Sequence, residues 1–220
     1  MTPIIHIHDQ ATLIDGITQA AQILRAGGVV LYPTDTTYAL AANALDTNAV
    51  DRVFQLKGRD YSKPIHVIVR DMEQAAQYVE VHEIAYQIAK QFLPGGLTIV
   101  LPLKADSTVP SLLVAGAGTL GVRIPDQPVC AALSQALNFP LTTTSANHSG
   151  MPNTYTIESV AHQLGTDFNQ IDLALDGGQI EGSGVSTVVA IEGAAVTLIR
   201  EGVIPFETIT EFVNMVDRKA

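Results

Sequence analysis

Short apolar segments with the two-residue repeat of β-strands alternate with amphipathic helical segments along the chain. Strands are predicted at residues 3–7, 29–32, 65–69, 97–103, 119–124, 141–144, 171–175, 186–191 and 195–200. Helices are predicted at residues 9–26, 47–56, 71–79, 83–92, 126–138, 156–164 and 206–217. This order of elements predicts one α/β domain, residues 1–220, in which helices flank a twisted sheet of mixed parallel and antiparallel strands.

The composition suits a folded domain that does not depend on nucleic acid. Hydrophobic residues make up 47% of the chain and charged residues 15%, which is enough for a sizeable core. A net charge of −10 repels nucleic acid over most of the surface, so any contact with RNA should be local or weak. The sequence has neither the long apolar run of a membrane span nor the features of a signal peptide. We therefore expect a soluble cytoplasmic protein without membrane association.

Few residues are suited to binding a metal. The single cysteine, Cys130, excludes an internal disulfide and a cysteine-based zinc site. It lies in an apolar helical stripe, which predicts a buried and inert thiol. His6 and His8 alternate onto one face of the first strand, but nothing else converges on them. The sequence predicts no metal site built by the protein itself.

The segment Lys57-Gly58-Arg59-Asp60-Tyr61-Ser62-Lys63-Pro64 contains three of the 12 lysine and arginine residues of the chain. Arginine binds phosphate as a planar fork and lysine as a compact point charge, which would suit a polyanion cradle. Glycine, serine and proline are equally typical of a solvated turn before a strand. The loop alone does not decide between these two interpretations.

Another cation lies inside a predicted strand. In residues 119–124 the apolar side chains share one face and leave Thr119, Gly121 and Arg123 on the other. Burying an unpaired guanidinium is costly, so Arg123 requires an anion. That anion is either a protein carboxylate or the carboxylate of a ligand.

Polar residues also follow two apolar strands. Residues 34–37 read Thr-Asp-Thr-Thr at a strand end, where α/β proteins bind ligands, although a capped turn explains them slightly better. Thr143, Ser145 and Asn147 share one face if their strand continues, and they would form a neutral hydrogen-bonding rim for a nucleotide or a small polar substrate. The small residues at 115–118 would allow a ligand or another backbone to approach closely. Neither common nucleotide-binding glycine motif is present.

Seven motifs, in this order and spacing, resemble the YrdC/Sua5 family, the threonylcarbamoyl-AMP synthases. They are Tyr32-Pro33-Thr34-Asp35-Thr36-Thr37-Tyr38, Lys57-Gly58-Arg59 with Ser62-Lys63-Pro64, Pro94-Gly95-Gly96-Leu97-Thr98, Val122-Arg123-Ile124-Pro125, Ser145-Ala146-Asn147-His148-Ser149-Gly150, Ser186-Thr187-Val188-Val189 and Arg200-Glu201-Gly202. Ala39, Asp35 and Gly96 depart from the common family residues. The match spans about residues 30–202 and is followed by the closing helix, so the chain resembles the short TsaC-like form without the extra C-terminal domain of Sua5.

The resemblance implies a deep basic cleft in which L-threonine, bicarbonate or CO2 and ATP condense to L-threonylcarbamoyl-AMP and pyrophosphate, for the threonylcarbamoyladenosine (t6A) modification of tRNA. It implies triphosphate binding by Lys57, Arg59, Lys63 and Arg200, nucleotide contacts from Thr119, Ser145, Asn147 and Asn153, and threonine binding by Thr36, Arg123, Thr143 and Ser186. Lys57 and Arg59 would be the catalytic cations. Mg²⁺ would accompany ATP with few protein ligands, Asp35 being an outer-shell candidate. Downstream tRNA-modifying transferase proteins would accept the product.

Two alternatives stay open. One is a carbamoyl-adenylate-forming enzyme of the hydrogenase-maturation type, which usually belongs to a much longer chain. The other is a non-catalytic RNA-binding module that uses the basic cleft. The acidic net charge and the absence of tryptophan argue against an extended RNA-stacking surface.

Overall fold

The computed structural model describes residues 1–181 and 184–218. Within these ranges, ten strands form one sheet: β1 (Ile4–His6), β2 (Val30–Pro33), β3 (Tyr38–Ala41), β4 (His66–Ile68), β5 (Leu97–Pro102), β6 (Thr119–Arg123), β7 (Leu141–Ser145), β8 (Leu173–Asp176), β9 (Thr187–Glu192) and β10 (Ala195–Arg200). Their order across the sheet is β1-β8-β2-β3-β7-β4-β6-β5-β9-β10. Four neighbouring pairs are parallel and five are antiparallel, which confirms the predicted mixed sheet.

Helices cover one face of this sheet. The described helices are α1 (Gln10–Arg25), α2 (Thr47–Lys57), α3 (Met72–Ala75), α4 (Glu83–Phe92), α5 (Pro128–Ala136), α6 (Ile157–Leu164) and α7 (Phe206–Asp217), with a 3-10 helix at Gly165–Gln170. Apolar residues of α2, α3, α4, α6 and α7 form the larger core cluster together with Val67, Ile99 and Val122 of the central strands. Sheet and helices therefore make a single domain, as predicted.

The opposite face of the sheet is only half covered. Helices α1 and α5 pack there against the strands from β1 to β3 and against Ile68 of β4 and Leu141 of β7, forming a second, smaller core cluster. Strands β6, β5, β9 and β10 contribute no residue to that cluster. This half of the face is therefore left open, and the open half carries the polar residues described below.

Local chemistry explains where helix α2 begins and ends. The Asp46 side chain accepts hydrogen bonds from the backbone amides of Asn48 and Ala49, which caps the first turn. Gly58 ends the helix in a left-handed conformation, with a φ of 52° that favours glycine. The chain then leaves the helix as the cationic loop that runs into β4. The C-cap of α2 therefore fixes where the cationic loop begins.

Besides the 3-10 helix, which was not predicted, the described structure differs from the predicted elements in two places. Strand β3 was not predicted, because alanine is a weak strand former and half of this strand is alanine. It forms because it pairs antiparallel with both β2 and β7. The predicted helix at 71–79 is confined to the short helix α3. Pairing with the neighbouring strands therefore explains β3, whereas the difference at α3 concerns only the length of the helix.

No other backbone of the described residues approaches Gly116 or Gly118, and the approach of a ligand to residues 115–118 stays a prediction. A Cβ added to Gly116 or Gly118 would have no atom within 4 Å, so no backbone approaches there. The φ values of +70° and +68° explain these glycines instead, because side-chain-bearing residues rarely adopt them. The second glycine-rich stretch, 181–184, lies partly outside the described residues.

Cys130 is buried in the second core cluster, as predicted. Its Sγ lies 3.2 Å from the carbonyl oxygen of Pro33. Burial, together with the nearby Asp35 carboxylate, raises the pKa of this thiol far above its ordinary value, so it stays protonated and unreactive. Among the described residues, no helix is long and apolar enough to cross a membrane.

Candidate active site

A cleft on the open half of the sheet brings together residues from distant parts of the chain. Eight of the predicted site residues line it: Thr36, Arg59, Arg123, Thr143, Ser145, Asn153, Ser186 and Arg200. The other four predicted residues, Lys57, Lys63, Thr119 and Asn147, do not line it. The cleft therefore concentrates three arginines and several hydroxyl groups on a protein whose net charge is −10.

Arg123 is buried at the end of β6. The sequence left two anions open for it, a protein carboxylate and the carboxylate of a ligand, and the structure leaves room for both. Its Nη2 is 2.5 Å from Oδ1 of Asp35, so the protein carboxylate is present. Its Nη1 donates to the hydroxyl of Thr36 over 3.1 Å. The Nε group is buried and has no partner in the described chain. Since a guanidinium has five N–H donors, these two bonds leave Arg123 able to bind a further anion.

The turn between β2 and β3 holds Asp35 and Thr36 in place. The Thr34 hydroxyl donates to the carbonyl oxygen of Thr37 over 2.7 Å and accepts from the amides of Thr36 and Thr37. This is the capped turn that the sequence slightly favoured. The same turn also lines the cleft through Thr34, Thr36 and Thr37. The two interpretations are therefore compatible, because the capped turn presents a side chain to the cleft.

Lys57 is buried at the end of α2 instead of facing the cleft. Its ammonium group donates to the carbonyl oxygens of Ser145 and Asn147 and to the Asn147 side-chain oxygen, the last two at 2.8 and 2.9 Å. Burial, with a smaller effect from Arg59, lowers the pKa of Lys57 to about 7, whereas its three oxygen acceptors favour the charged form. In this structure Lys57 supports the backbone after β7, and the predicted triphosphate contact stays a prediction.

Asn147 also points into the protein. Its Oδ1 accepts from Lys57 and from the Ser145 hydroxyl, the latter over 2.5 Å. Its Nδ2 donates to the carbonyl oxygen of Met151 over 2.6 Å. Strand β7 ends at Ser145, so the alternation that would place Asn147 beside Thr143 and Ser145 does not continue. Asn147 shapes the loop at the cleft rim, while Thr143 and Ser145 line the cleft.

Arg59 is the cation of the loop that lines the cleft, together with Pro64 of the same loop. Its Nε donates to the carbonyl oxygen of Lys63 over 3.1 Å and its Nη2 to that of Pro64 over 2.8 Å. These bonds orient the guanidinium along the loop. Burial lowers the pKa of Arg59, but an arginine remains charged at neutral pH. The Lys63 side chain, in contrast, is exposed and outside the cleft.

Residues at the start and the end of the β9–β10 hairpin also line the cleft. Arg200 Nη2 donates to the carbonyl oxygen of Ser186 over 2.8 Å and lies 3.2 Å from the Ser186 hydroxyl. That hydroxyl is 3.0 Å from the hydroxyl of Thr98 on β5. Thr119 starts β6 opposite Pro102 and shares its face with Arg123, but it lies outside the cleft lining.

Sequence reasoning missed His66, the first residue of β4. It lines the cleft beside Arg59, Arg123 and Arg200. Burial, followed by the effects of Arg200, Arg59 and Arg123, lowers the pKa of His66 to about 4. The signal was available, because a polar residue within an apolar strand is what singled out Arg123.

The described residues do not build a metal centre. No group of three or more histidine, cysteine, aspartate or glutamate side chains in the described ranges could hold an ion. Asp35, the outer-shell candidate, is paired with Arg123. His6 and His8 stack with ring centroids 5.7 Å apart, and Nδ1 of His6 bonds to Asp176. The residues at the cleft therefore do not fit a resident metal cage.

Comparison with known proteins identifies the family. The Sua5_yciO_yrdC family model, described as "Telomere recombination", matches residues 22–202. The chain belongs to this family. The family match covers every strand of the cleft, from β2 to β10.

Curated relatives in the Sua5/YciO/YrdC family carry two kinds of name. A putative threonylcarbamoyl-AMP synthase of Methanocaldococcus jannaschii is 38% identical over 82% of this chain and 83% of its own length. The threonylcarbamoyl-AMP synthase of Bacillus subtilis is 39% identical over 88% of this chain and 55% of its own length. The chain thus spans little more than half of that second relative. An uncharacterized protein, YciO of Escherichia coli, is 31% identical over 92% of this chain and 97% of its own.

Solved structures of family members share the fold. P. abyssi Sua5, crystallised in complex with L-threonine, superposes with a TM-score of 0.85 at 33% identity, covering 96% of this chain and 60% of that chain. E. coli YciO gives a TM-score of 0.81 at 29% identity, covering 95% of this chain and all of its own. The mixed sheet with flanking helices is therefore an architecture that this chain shares with these family members.

Proposed function

We propose that the protein is an L-threonylcarbamoyladenylate synthase, which condenses L-threonine, bicarbonate or CO2 and ATP to threonylcarbamoyl-AMP and pyrophosphate. The observation that carries the proposal is one cleft with two sets of anion-binding groups. Arg123 with Thr36 and Thr143 forms one set, and Arg59 with Arg200 forms the other. The names of the M. jannaschii and B. subtilis relatives support the same reaction.

The threonine end of the cleft is the Arg123 end. The guanidinium is fixed by Asp35 and by the Thr36 hydroxyl, and its remaining donors suit a carboxylate. Thr143 on β7 and Ser186 before β9 offer hydroxyl groups at the same cleft. The L-threonine complex of P. abyssi Sua5 supports an amino acid site on this scaffold.

The triphosphate end is the Arg59 and Arg200 end. Both guanidinium groups are tied to backbone carbonyl oxygens, so they are oriented before a ligand arrives. Ser145 and Asn153 line the same cleft and would contact the nucleoside. The Asn153 side chain has no hydrogen bond to other described residues, which leaves its amide available. Lys57, Asn147, Lys63 and Thr119 would need to act indirectly or after rearrangement.

The chemistry requires positioning and charge neutralisation. The nucleophile would be the carboxylate of N-carboxy-threonine, which is already an anion and needs no general base. Its oxygen attacks the α-phosphorus, a new O–P bond forms, and the bond to the bridging oxygen breaks to release pyrophosphate. Arg59 and Arg200 would neutralise the charge that develops on the leaving group. Mg²⁺, when bound with ATP, would add charge neutralisation at the phosphates.

Pyrophosphate release tests the proposal directly. We expect release from ATP that requires both L-threonine and bicarbonate, with threonylcarbamoyl-AMP detected by mass spectrometry. Carbamoyl phosphate in place of threonine and bicarbonate is the matched control, because it is the substrate for the carbamoyl-adenylate alternative. Equal pyrophosphate release without threonine would overturn the assignment, and no release with measurable RNA binding would favour the non-catalytic module.

Partners and location follow from the proposed reaction. The product is a reactive mixed anhydride, so tRNA-modifying transferase proteins would have to accept it promptly. Direct tRNA binding by this chain should be weak because of its acidic charge. A cytoplasmic location fits the single unpaired cysteine, which suits a reducing compartment.

A further inference from the structure

His66, the first residue of β4, lines the cleft between two neighbouring strands. On one side β4 pairs with β7, where His66 is opposite Thr143. On the other side its ring packs on Gly121 of β6, where an added Cβ would lie 2.5 Å from His66 Cδ2. The absence of a side chain at Gly121 therefore makes room for the imidazole. Two strands and one glycine position this ring.

The imidazole of His66 has no hydrogen-bond partner among the residues that the structure describes. Neither ring nitrogen hydrogen-bonds to a residue in the described ranges, although the ring is partly buried. Polar atoms in such a place normally find a partner, and both ring nitrogens can donate or accept. Because the ring lines the cleft, its nitrogens are available to hydrogen-bond a ligand that binds there.

The charged groups around His66 are cationic. Arg59 precedes β4, Arg123 lies on β6, and Arg200 lies on β10. These arginines, after burial, favour the neutral imidazole. Asp35 is paired with Arg123, and Lys57 lies buried beneath the end of β7. At neutral pH, His66 therefore provides a hydrogen bond without adding a fourth positive charge to the cleft.

Resting on the proposed function, we propose that His66 is a substrate-contacting residue, which hydrogen-bonds an oxygen where the amino acid carbamate meets the α-phosphate. Its place carries this assignment. Thr143 of the threonine end is paired with it, Arg123 lies two residues beyond Gly121 on the neighbouring strand, and Arg59 and Arg200 of the triphosphate end line the same cleft. The role is to orient the two reacting groups, and no proton transfer is required.

Binding of a polyanion should couple to proton uptake at His66. A bound triphosphate offsets the repulsion from the three arginines, so it raises the pKa of His66 from its free value of about 4. The protein then binds triphosphate more tightly as the pH falls from 7 toward 4. Each unit by which the pKa rises corresponds to about tenfold in affinity at the acidic limit. In His66→Gln the part of the pH dependence of triphosphate binding that comes from His66 disappears. Only the part that comes from protonation of the triphosphate remains.

The direct test is NMR of the full chain with ¹⁵N-labelled histidine. The six histidines give separable imidazole signals, and His66→Gln assigns the one of interest. We titrate inorganic triphosphate, then ATP with L-threonine, and follow the pH titration of each signal. We expect the His66 signal to shift and its pKa to rise by at least one unit. His82, an exposed residue on the helix-covered side, is the internal control and should not respond.

Kinetics of matched variants give a second readout. His66→Gln keeps a neutral hydrogen-bonding group, whereas His66→Leu fills space without one. We expect kcat to fall about tenfold in His66→Leu and less in His66→Gln, with similar melting temperatures. His82→Gln should behave as the unmodified protein.

The outcomes separate the two proposals. The role of His66 alone would be overturned if calorimetry showed saturation with triphosphate while the His66 signal did not move. Both His66 variants would then also have the kinetics of the unmodified protein. Absence of any ATP or triphosphate binding would overturn the proposed function and the role of His66 together. Equal losses of activity in Gln and Leu variants, in proportion to lowered melting temperatures, would make His66 a packing residue.

Discussion

At the scale of single residues, Arg123 combines a structural and a binding role. Its pair with Asp35 is almost fully buried, so its charge is compensated inside the protein. In Arg123→Lys the charge remains, but an ammonium cannot reproduce the forked geometry toward two partners at once. We expect kcat/KM for threonine to fall roughly 10- to 150-fold, corresponding to about 1.5–3 kcal/mol, with a smaller change for ATP. The melting temperature should also fall, because the contacts to Asp35 and Thr36 weaken.

Steady-state kinetics with threonine and ATP varied separately, beside a ligand-free melting curve, check this expectation. Arg52→Lys is the matched control, because Arg52 forms an exposed ion pair with Asp172 away from the cleft. Equal defects toward both substrates in Arg123→Lys would place its role in the scaffold alone.

At the scale of elements, the β9–β10 hairpin positions Ser186 and Arg200 through a close backbone approach. A Cβ at Gly202 would lie 2.2 Å from the carbonyl oxygen of Val185, and backbone atoms cannot move aside as a side chain can. We expect Gly202→Ala to displace the start of β9, to lower the stability by about 1–3 kcal/mol and to weaken ATP binding. Chemical denaturation and calorimetric ATP titration measure both effects.

The tip of the same hairpin offers the control for Gly202→Ala. Gly193 has a φ of +59° with open space around it, and asparagine tolerates that conformation. Gly193→Asn should therefore leave ATP binding unchanged and cost little stability. If Gly202→Ala bound ATP as tightly as the unmodified protein, the hairpin would not position the triphosphate end.

At the scale of the whole molecule, charge is distributed unevenly. The net charge is −10, yet three arginines converge on one cleft. A small ligand can enter that cleft, whereas a tRNA would also meet the acidic surface. We expect tRNA to bind weakly and with a steep salt dependence, measured by fluorescence anisotropy at two salt concentrations. A nanomolar complex that is insensitive to salt would contradict the charge argument.

Several parts of the site could be predicted from residue types and patterns. Arg123 was singled out because a guanidinium on an apolar strand needs an anion, and the structure provides Asp35 and a cleft. Thr143 and Ser145 were placed by alternation along β7, and they do line the cleft. The same alternation predicted Asn147 on this face, but it does not line the cleft because the strand ends two residues earlier. Alternation predicts a face only as far as the strand continues.

By itself, the sequence determined the order of strands and helices apart from β3, because the spacing of apolar residues decides which faces can be buried. It also determined which side chains need ionic partners. Tertiary structure alone decided where those partners are. Lys57 and Arg59 are two residues apart, yet the first is buried under the end of β7 and the second lines the cleft. Asp35 and Arg123 meet across 88 residues, since only the pairing of β3, β7, β4 and β6 brings their strand ends together.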